Sequence, residues 1–292
     1  MGDSGYLGVT TVRDNIMGVA ETVLAIALLA LLTLAVLAEG AAAAVPEPTR
    51  GTAFAGTAAG RDRDGDHELV VADTTAYPAR AVGALTFSRN SSPGACTAFL
   101  VDENSVVTAA HCVHDGSGGT PDDWSTDIVF DPGRDGTSTP YGTCNGVAAN
   151  APYRWRTGAD ERFDYAVVQL DCGIGRRVGW FGLWLSGRGD DLDGLVVKVR
   201  GYPDDLAGAQ WRGGGRVTGT TPHLVFHNAR TRGDSDGGPV YVATPACGGP
   251  CAVTVQADEP HGGLGAHAAS PHGPRFTLNR FTQILDWAAE NG

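Results

Sequence analysis

Apolar and polar positions fall into three regimes along the chain. Between Val23 and Ala38 the run VLAIALLALLTLAVLA is apolar throughout. It is slightly short for a helix that spans a bilayer and slightly long for the core of a signal peptide. From Ala41 to about Glu68 come Ala, Gly, Pro and charged residues with no apolar period, a linker or pro-segment with little to bury. From about Val71 onward short β-rich runs alternate with Gly, Pro and Asp: ALTFS, TAFLVD, SVVTAA, DIVFD, YAVVQLD, LVVKVRGYP, HLVFHNA, GPVYVA and AVTVQA. Regular short strands with turn residues between them predict an all-β sandwich or barrel. One helix is predicted, in the final RFTQILDWAAENG, where Phe281, Ile284, Leu285 and Ala288 share a face. The expected division is 1–40 as signal peptide or membrane anchor, 41–70 as flexible linker or pro-segment, and 71–292 as one folded domain.

Composition narrows the function classes. The chain has 42 glycines and 16 prolines, which suits many turns, and a net charge of −12 with Lys198 as its one lysine. An acidic chain without a basic run is a poor partner for nucleic acid. Small residues follow the apolar run at Ala38 and Ala41 to Ala44, as a signal-peptidase site needs, whereas upstream Arg13 is offset by Asp14 and Glu21. A cleaved signal peptide and a retained anchor both stand, and under either the remainder is exported. All six cysteines lie after the run, and an even count in an exported chain reads as disulfides. A zinc site built from HCVH and CGGPC would lack a zinc spacing. RDRDGDHE imitates a calcium loop, but His67 stands at the sixth position where that turn requires glycine. No metal or cofactor is expected, and the expected state is a monomer.

Three short elements carry chemistry. In TAAHCV, Thr108 to Val113, His111 follows the run SVVTAA and adjoins Cys112, with Cys96 one hairpin upstream. A Cys96–Cys112 bridge would pin the loop that bears the imidazole. The other four cysteines can still pair in three ways, of which Cys144 with Cys172 and Cys247 with Cys251 is the expected one. In FDYAVVQL, Asp164 stands immediately before a strand, and Gly233-Asp234-Ser235 forms the third element. A serine hydroxyl is a weak nucleophile that needs a base in reach, and the base needs a carboxylate to fix its tautomer. The order His111, Asp164, Ser235 supplies all three types.

At these residues the region from about Val71 to the C-terminus resembles a chymotrypsin-fold (trypsin-like) serine peptidase. It is closer to the bacterial glutamyl-endopeptidase branch than to digestive trypsins. DTTAYPARAVGAL, ACTAFLVDENSVVTAAHCV, FDYAVVQLDCGIGRRVGWFGLW, GYPDDLAGAQWRGGGRV and the GDS loop echo that branch in order. The resemblance implies two six-stranded antiparallel β-barrels with the site in the cleft between them, and a protein or peptide substrate. It implies His111 as general base, Asp164 as its orienting partner and Ser235 as nucleophile, with the backbone N–H groups of Gly233 and Ser235 as oxyanion hole. No IVGG-like activation terminus is present.

The stretch TRGDSDGGPV carries one residue more than the family's GDSGGP. Hold the left flank, and Asp236 is an insertion after an intact Gly233-Asp234-Ser235. Hold the right flank, and Asp236 takes the nucleophile position while Ser235 replaces the family's buried aspartate. The left-flank register is expected, because loops absorb an extra residue more easily than sites absorb replaced chemistry. The expected function is a secreted serine endopeptidase working through an acyl-enzyme. The alternative is a catalytically impaired homologue that acts as a secreted binding module. Six residues before Ser235 stands Ala229, so a preference for Arg or Lys is not supported. His261 in PHGG is the candidate to meet an acidic side chain.

Overall fold

The computed structural model describes residues 69–118, 120–187, 192–231, 235–244, 247, 249–257 and 270–290. Strands β2 (Val82–Arg89), β3 (Ser92–Leu100), β4 (Ser105–Thr108), β5 (Thr126–Pro132), β6 (Cys144–Asn150) and β7 (Ala166–Leu170) close a barrel in the order β2-β3-β4-β7-β6-β5. β2 and β3 join through Asn90 and Ser91, both at positive φ (49° and 64°), the twist that a tight hairpin demands. Alternation along each strand sorts its side chains between two cores. Val106 and Val168 turn into the barrel with Leu85 and Phe130, whereas Val107 and Val167 turn outward. There they meet Tyr202, Tyr241, Phe276 and Ile284 in a second cluster. Bridges Cys96–Cys112 and Cys144–Cys172 cross-link this half of the chain.

The second half is one sheet. With β1 (Leu69–Val70), β8 (Gly182–Leu183), β9 (Val196–Gly201), β10 (Trp211–Thr220), β11 (Leu224–His227), β12 (Pro239–Thr244), β13 (Gly249–Val255) and β14 (His272–Pro274), the order is β14-β11-β10-β9-β12-β13-β8, and β1 pairs with β10. Among the described residues no ladder joins β13 to β14. These two edge regions meet through single bonds instead, Ala257 N–H to the His272 carbonyl (3.1 Å) and the Thr254 hydroxyl to the Pro274 carbonyl (2.9 Å). A buried polar chain ties the halves together: Arg200 Nη1 donates to Gln210 Oε1 (3.1 Å), and Gln210 Nε2 to Tyr202 Oη (2.8 Å) and the Ala79 carbonyl (3.0 Å). The remaining bridge is Cys247–Cys251. All six sulfurs named for zinc or bridging are held in disulfides.

Helices α1 (Tyr153–Arg156) and α2 (Gly175–Val178) are single turns; α3 (Leu278–Ala289) is the helix read from the sequence. It lies on the first barrel: Tyr165 Oη donates to Gln283 Oε1 (2.6 Å), Ser105 Oγ to the Ala288 carbonyl (3.3 Å), and Gln169 Nε2 to the Trp287 carbonyl. Its buried residues are Arg280, Ile284 and Ala288, while Leu285 is 43% exposed, against expectation. The face is turned toward Arg280, whose guanidinium stacks 4.7 Å over Phe163. No helix among the described residues is long and apolar enough to cross a membrane. The N-terminal apolar run and the linker up to residue 68 lie outside the described residues, and Leu69 and Val70, placed at the end of the linker from sequence, form β1.

Burial also sets one acid sensitivity. His227 is 1% exposed, with Nε2 against Gln256 Oε1 at 3.0 Å, and burial pushes it down from 6.5 to about 4. The folded protein therefore refuses a proton that the unfolded chain takes below about 6.5. Stability is fully present above that pH and falls as pH drops toward 4, by about 3 kcal/mol in all. Urea unfolding at pH 7 and at pH 4.5 should show most of this loss, and His227→Gln should flatten the slope between them.

Candidate active site

Two neighbouring strands deliver the first pair of side chains. In the β4–β7 ladder Thr108 pairs with Ala166. His111 lies three residues past one end and Asp164 two residues before the other, so both emerge at the same edge. His111 sits in the 3-10 turn Ala110–Cys112, and Asp164 closes the 3-10 turn Glu161–Phe163. The Asp164 carboxylate, 1% exposed, takes the His111 backbone N–H at 2.9 Å on Oδ1 and lies 2.8 Å from Nδ1 through Oδ2. Two contacts to one carboxylate fix the ring's direction and put the proton of Nδ1 toward Asp164, leaving Nε2 for the cleft. Behind the loop, Arg89 Nη2 donates to the His111 carbonyl at 2.6 Å. The other acids near this edge have different partners. Asp160 binds Arg162 (2.7 Å) and Arg154 (3.0 Å), and Asp171 binds Asn145.

The third element sits in the other register. Gly237 has φ +85°, and a Cβ there would lie 2.0 Å from the Thr97 carbonyl oxygen and 2.2 Å from Thr108 Oγ1. A Cβ at Gly238 would lie 2.2 Å from the Arg200 carbonyl oxygen. Only glycine fits either place. Backbone bonds hold both: Gly237 N–H to the Gln256 carbonyl (2.8 Å), Gln256 N–H to the Gly238 carbonyl (2.8 Å) and Thr97 N–H to the Asp236 carbonyl (2.8 Å). The right flank is thereby nailed to two distant strands, and counting back from it determines which side chain faces the imidazole. Asp236 does, its Oδ2 3.6 Å from His111 Nε2. Ser235 points the other way. It is fully buried, its Oγ accepts from Trp211 Nε1 at 2.8 Å, and its Cβ packs on Gly201.

So His111 and Asp164 come together as the sequence suggests, and Ser235 does not join them. In this geometry the right flank sets the register, because two glycines that tolerate no Cβ outweigh the freedom of the loop before them. Gly233 and His261 lie outside the described residues. Trp211 was missed from sequence, and its one signal was its place at the head of the glycine-rich WRGGG strand.

Electrostatics follow from the geometry. A neutral imidazole with its proton on Nδ1 would aim a lone pair at the Asp236 carboxylate. A proton between Nε2 and Oδ2 removes that conflict and makes an ion pair, worth on the order of 4 kcal/mol at an effective dielectric near 20 before desolvation. The site thus sets the His111 imidazole between two carboxylates, with side-chain exposures of 16% for His111 and 10% for Asp236.

The trypsin-like peptidase domain family matches residues 96–245. A glutamyl endopeptidase of Bacillus licheniformis is 33% identical over 226 residues, 76% of this chain and 67% of the relative. The chain belongs to the trypsin-like peptidases. An extracellular metalloprotease of Bacillus subtilis is 31% identical over the same length, covering 68% of that protein. Among solved structures, a Glu endopeptidase in complex with MPD superposes with a TM-score of 0.63 at 22% identity, over 77% of this chain and 98% of that one. The Anisep protease of Arthrobacter nicotinovorans gives 0.60 at 21% identity, over 76% and 99%. These neighbours place the fold among the chymotrypsin-like proteins.

Proposed function

We propose that this chain is an exported member of the serine endopeptidases that receives a polypeptide segment in its cleft while its serine is withheld from covalent chemistry. The observation that carries the reading is the identity of the side chain opposite His111 Nε2, which is Asp236 at 3.6 Å. A nucleophilic serine must lie within hydrogen-bond reach of its base, and Ser235 is held by Trp211 instead. Export is supported by the apolar run ahead of the domain and by three disulfides, which persist in oxidising compartments. Peptide binding is supported by the family, whose members act on protein or peptide substrates.

A second reading, an active endopeptidase using Ser235 through an acyl-enzyme, is favoured by the intact His111–Asp164 pair. It requires the loop to slide by one residue against the glycine anchors. Treatment of the purified protein with an active-site serine phosphonate separates the two. The expected result is no stoichiometric adduct while a fluorescent peptide still binds in a saturable way. Full phosphonylation of Ser235, located by mass spectrometry, would establish the second reading.

A further inference from the structure

We propose that Asp236 is itself a catalytic residue, the general base for direct attack of water on a peptide carbonyl, with His111 as the general acid. The proposal rests on the reading above, in which Ser235 is withheld, and adds a chemistry that needs no serine.

The pair is built and not incidental. Asp236 is 7% exposed and its backbone is fixed by Thr97 on one side and by the Gly237 anchor on the other. His111 is fixed by two contacts to Asp164 and by Arg89 on its carbonyl. Each partner is therefore anchored through its own loop, and the two side chains meet at 3.6 Å. The geometry suits that division of labour: the Asp236 carboxylate stands 3.6 Å from His111 Nε2, and Asp164, 2.8 Å from Nδ1 behind the ring, would stabilise an imidazolium that gives up its proton.

A carboxylate cannot readily replace serine as the nucleophile for an amide. Attack by Asp236 Oδ2 on the carbonyl would give a tetrahedral adduct with two possible leaving groups. The carboxylate is far better than the amine, so the adduct would fall back. As a base, Asp236 avoids this. It takes one proton from water while the water oxygen bonds to the carbonyl carbon, forming the tetrahedral oxyanion. When that oxyanion collapses, the C–N bond breaks and the His111 Nε2 proton passes to the departing nitrogen. Asp236 then returns its proton to His111. Water and amide have become carboxylic acid and amine, and both side chains are as they began.

The test uses the full exported chain and an internally quenched peptide. Slow hydrolysis is expected that a serine phosphonate does not inhibit. Asp236→Ala should lower kcat by about a hundredfold or more, the usual contribution of a positioned acid or base. Alanine is preferred to asparagine because an Asn before Gly237 would deamidate back toward aspartate. Turnover in H2(18)O should label the product carboxylate and leave the Asp236 carboxylate unlabelled. These wild-type measurements decide the matter even if the alanine variant fails to fold. Label in Asp236 would mean nucleophilic attack and overturn the base role. Hydrolysis abolished by the phosphonate would overturn both this proposal and the withheld serine. A protein that binds peptide and never cleaves it would overturn this proposal alone.

Discussion

Asp236→Ser should convert a protein that ignores serine phosphonates into one that is labelled at position 236. The substitution places a hydroxyl opposite an imidazole already aligned by Asp164, and removes the carboxylate that now faces Nε2. Hydrolysis of an activated ester should rise by about a hundredfold to ten-thousandfold, the range that a working base gives a serine nucleophile. Deleting Asp236 should raise activity less. It restores the GDSGGP spacing and carries Ser235 to the imidazole, but it also draws Asp234 into the fully buried seat beside Trp211 that Ser235 now fills. A carboxylate there would need a cation to offset its desolvation. Peptide mapping of the phosphonate adduct is the check. An adduct on Ser235 in the Asp236→Ser protein would mean that the left flank sets the register and that the loop is not held as described.

Gly237→Ala should be among the most damaging single-methyl changes in the chain. The new Cβ would meet the Thr97 carbonyl oxygen at 2.0 Å, and the residue would have to keep φ +85°. A close clash with backbone and a left-handed conformation act together, for a loss on the order of 4 kcal/mol. Gly142→Ala is the control. Gly142 has nearly the same φ, +81°, but open space around it, so only the conformational penalty of about 1 kcal/mol applies. Chemical denaturation of the two variants measures both. A cost at Gly237 no larger than at Gly142 would mean that the anchor does not fix the loop.

Much of the architecture was legible because alternation and turn residues are local. Each β-rich run read from the sequence overlaps a strand, and the ladder between Ser105–Thr108 and Ala166–Leu170 explains why His111 and Asp164 could be paired from sequence order. What was missed lacks that local signal. Trp211–Thr220 is a strand with three consecutive glycines, and those at 213 and 215 are there because the backbones of Arg230 and Ala229 press within 2.1 and 2.4 Å of where a Cβ would stand. Glycines imposed by a distant neighbour read as a loop. Cys144–Asn150 is similarly weak, carrying Asn, Gly and Ala over most of its length. Leu285 looked buried because periodicity gives a face and not its rotation, which Arg280 and Phe163 determine. The register of the serine loop was the hardest of all. A single extra residue can be taken up on either side, and the groups that decide, Thr97, Arg200 and Gln256, are far away in sequence.

The placement of the C-terminal helix has a consequence for the order of assembly. The barrel formed by the first half of the domain is capped through Ser105, Tyr165 and Gln169 by residues Gln283, Trp287 and Ala288, more than a hundred positions later. As the chain is made, all six strands of that barrel exist well before the segment that covers them. Until Leu278–Ala289 arrives, the barrel carries an uncovered apolar flank and the buried Gln169 side chain lacks that partner. The half-made protein is thus held short of its final packing, and a chain truncated before Leu278 would lose stability in the half of the domain that lies furthest from the cut.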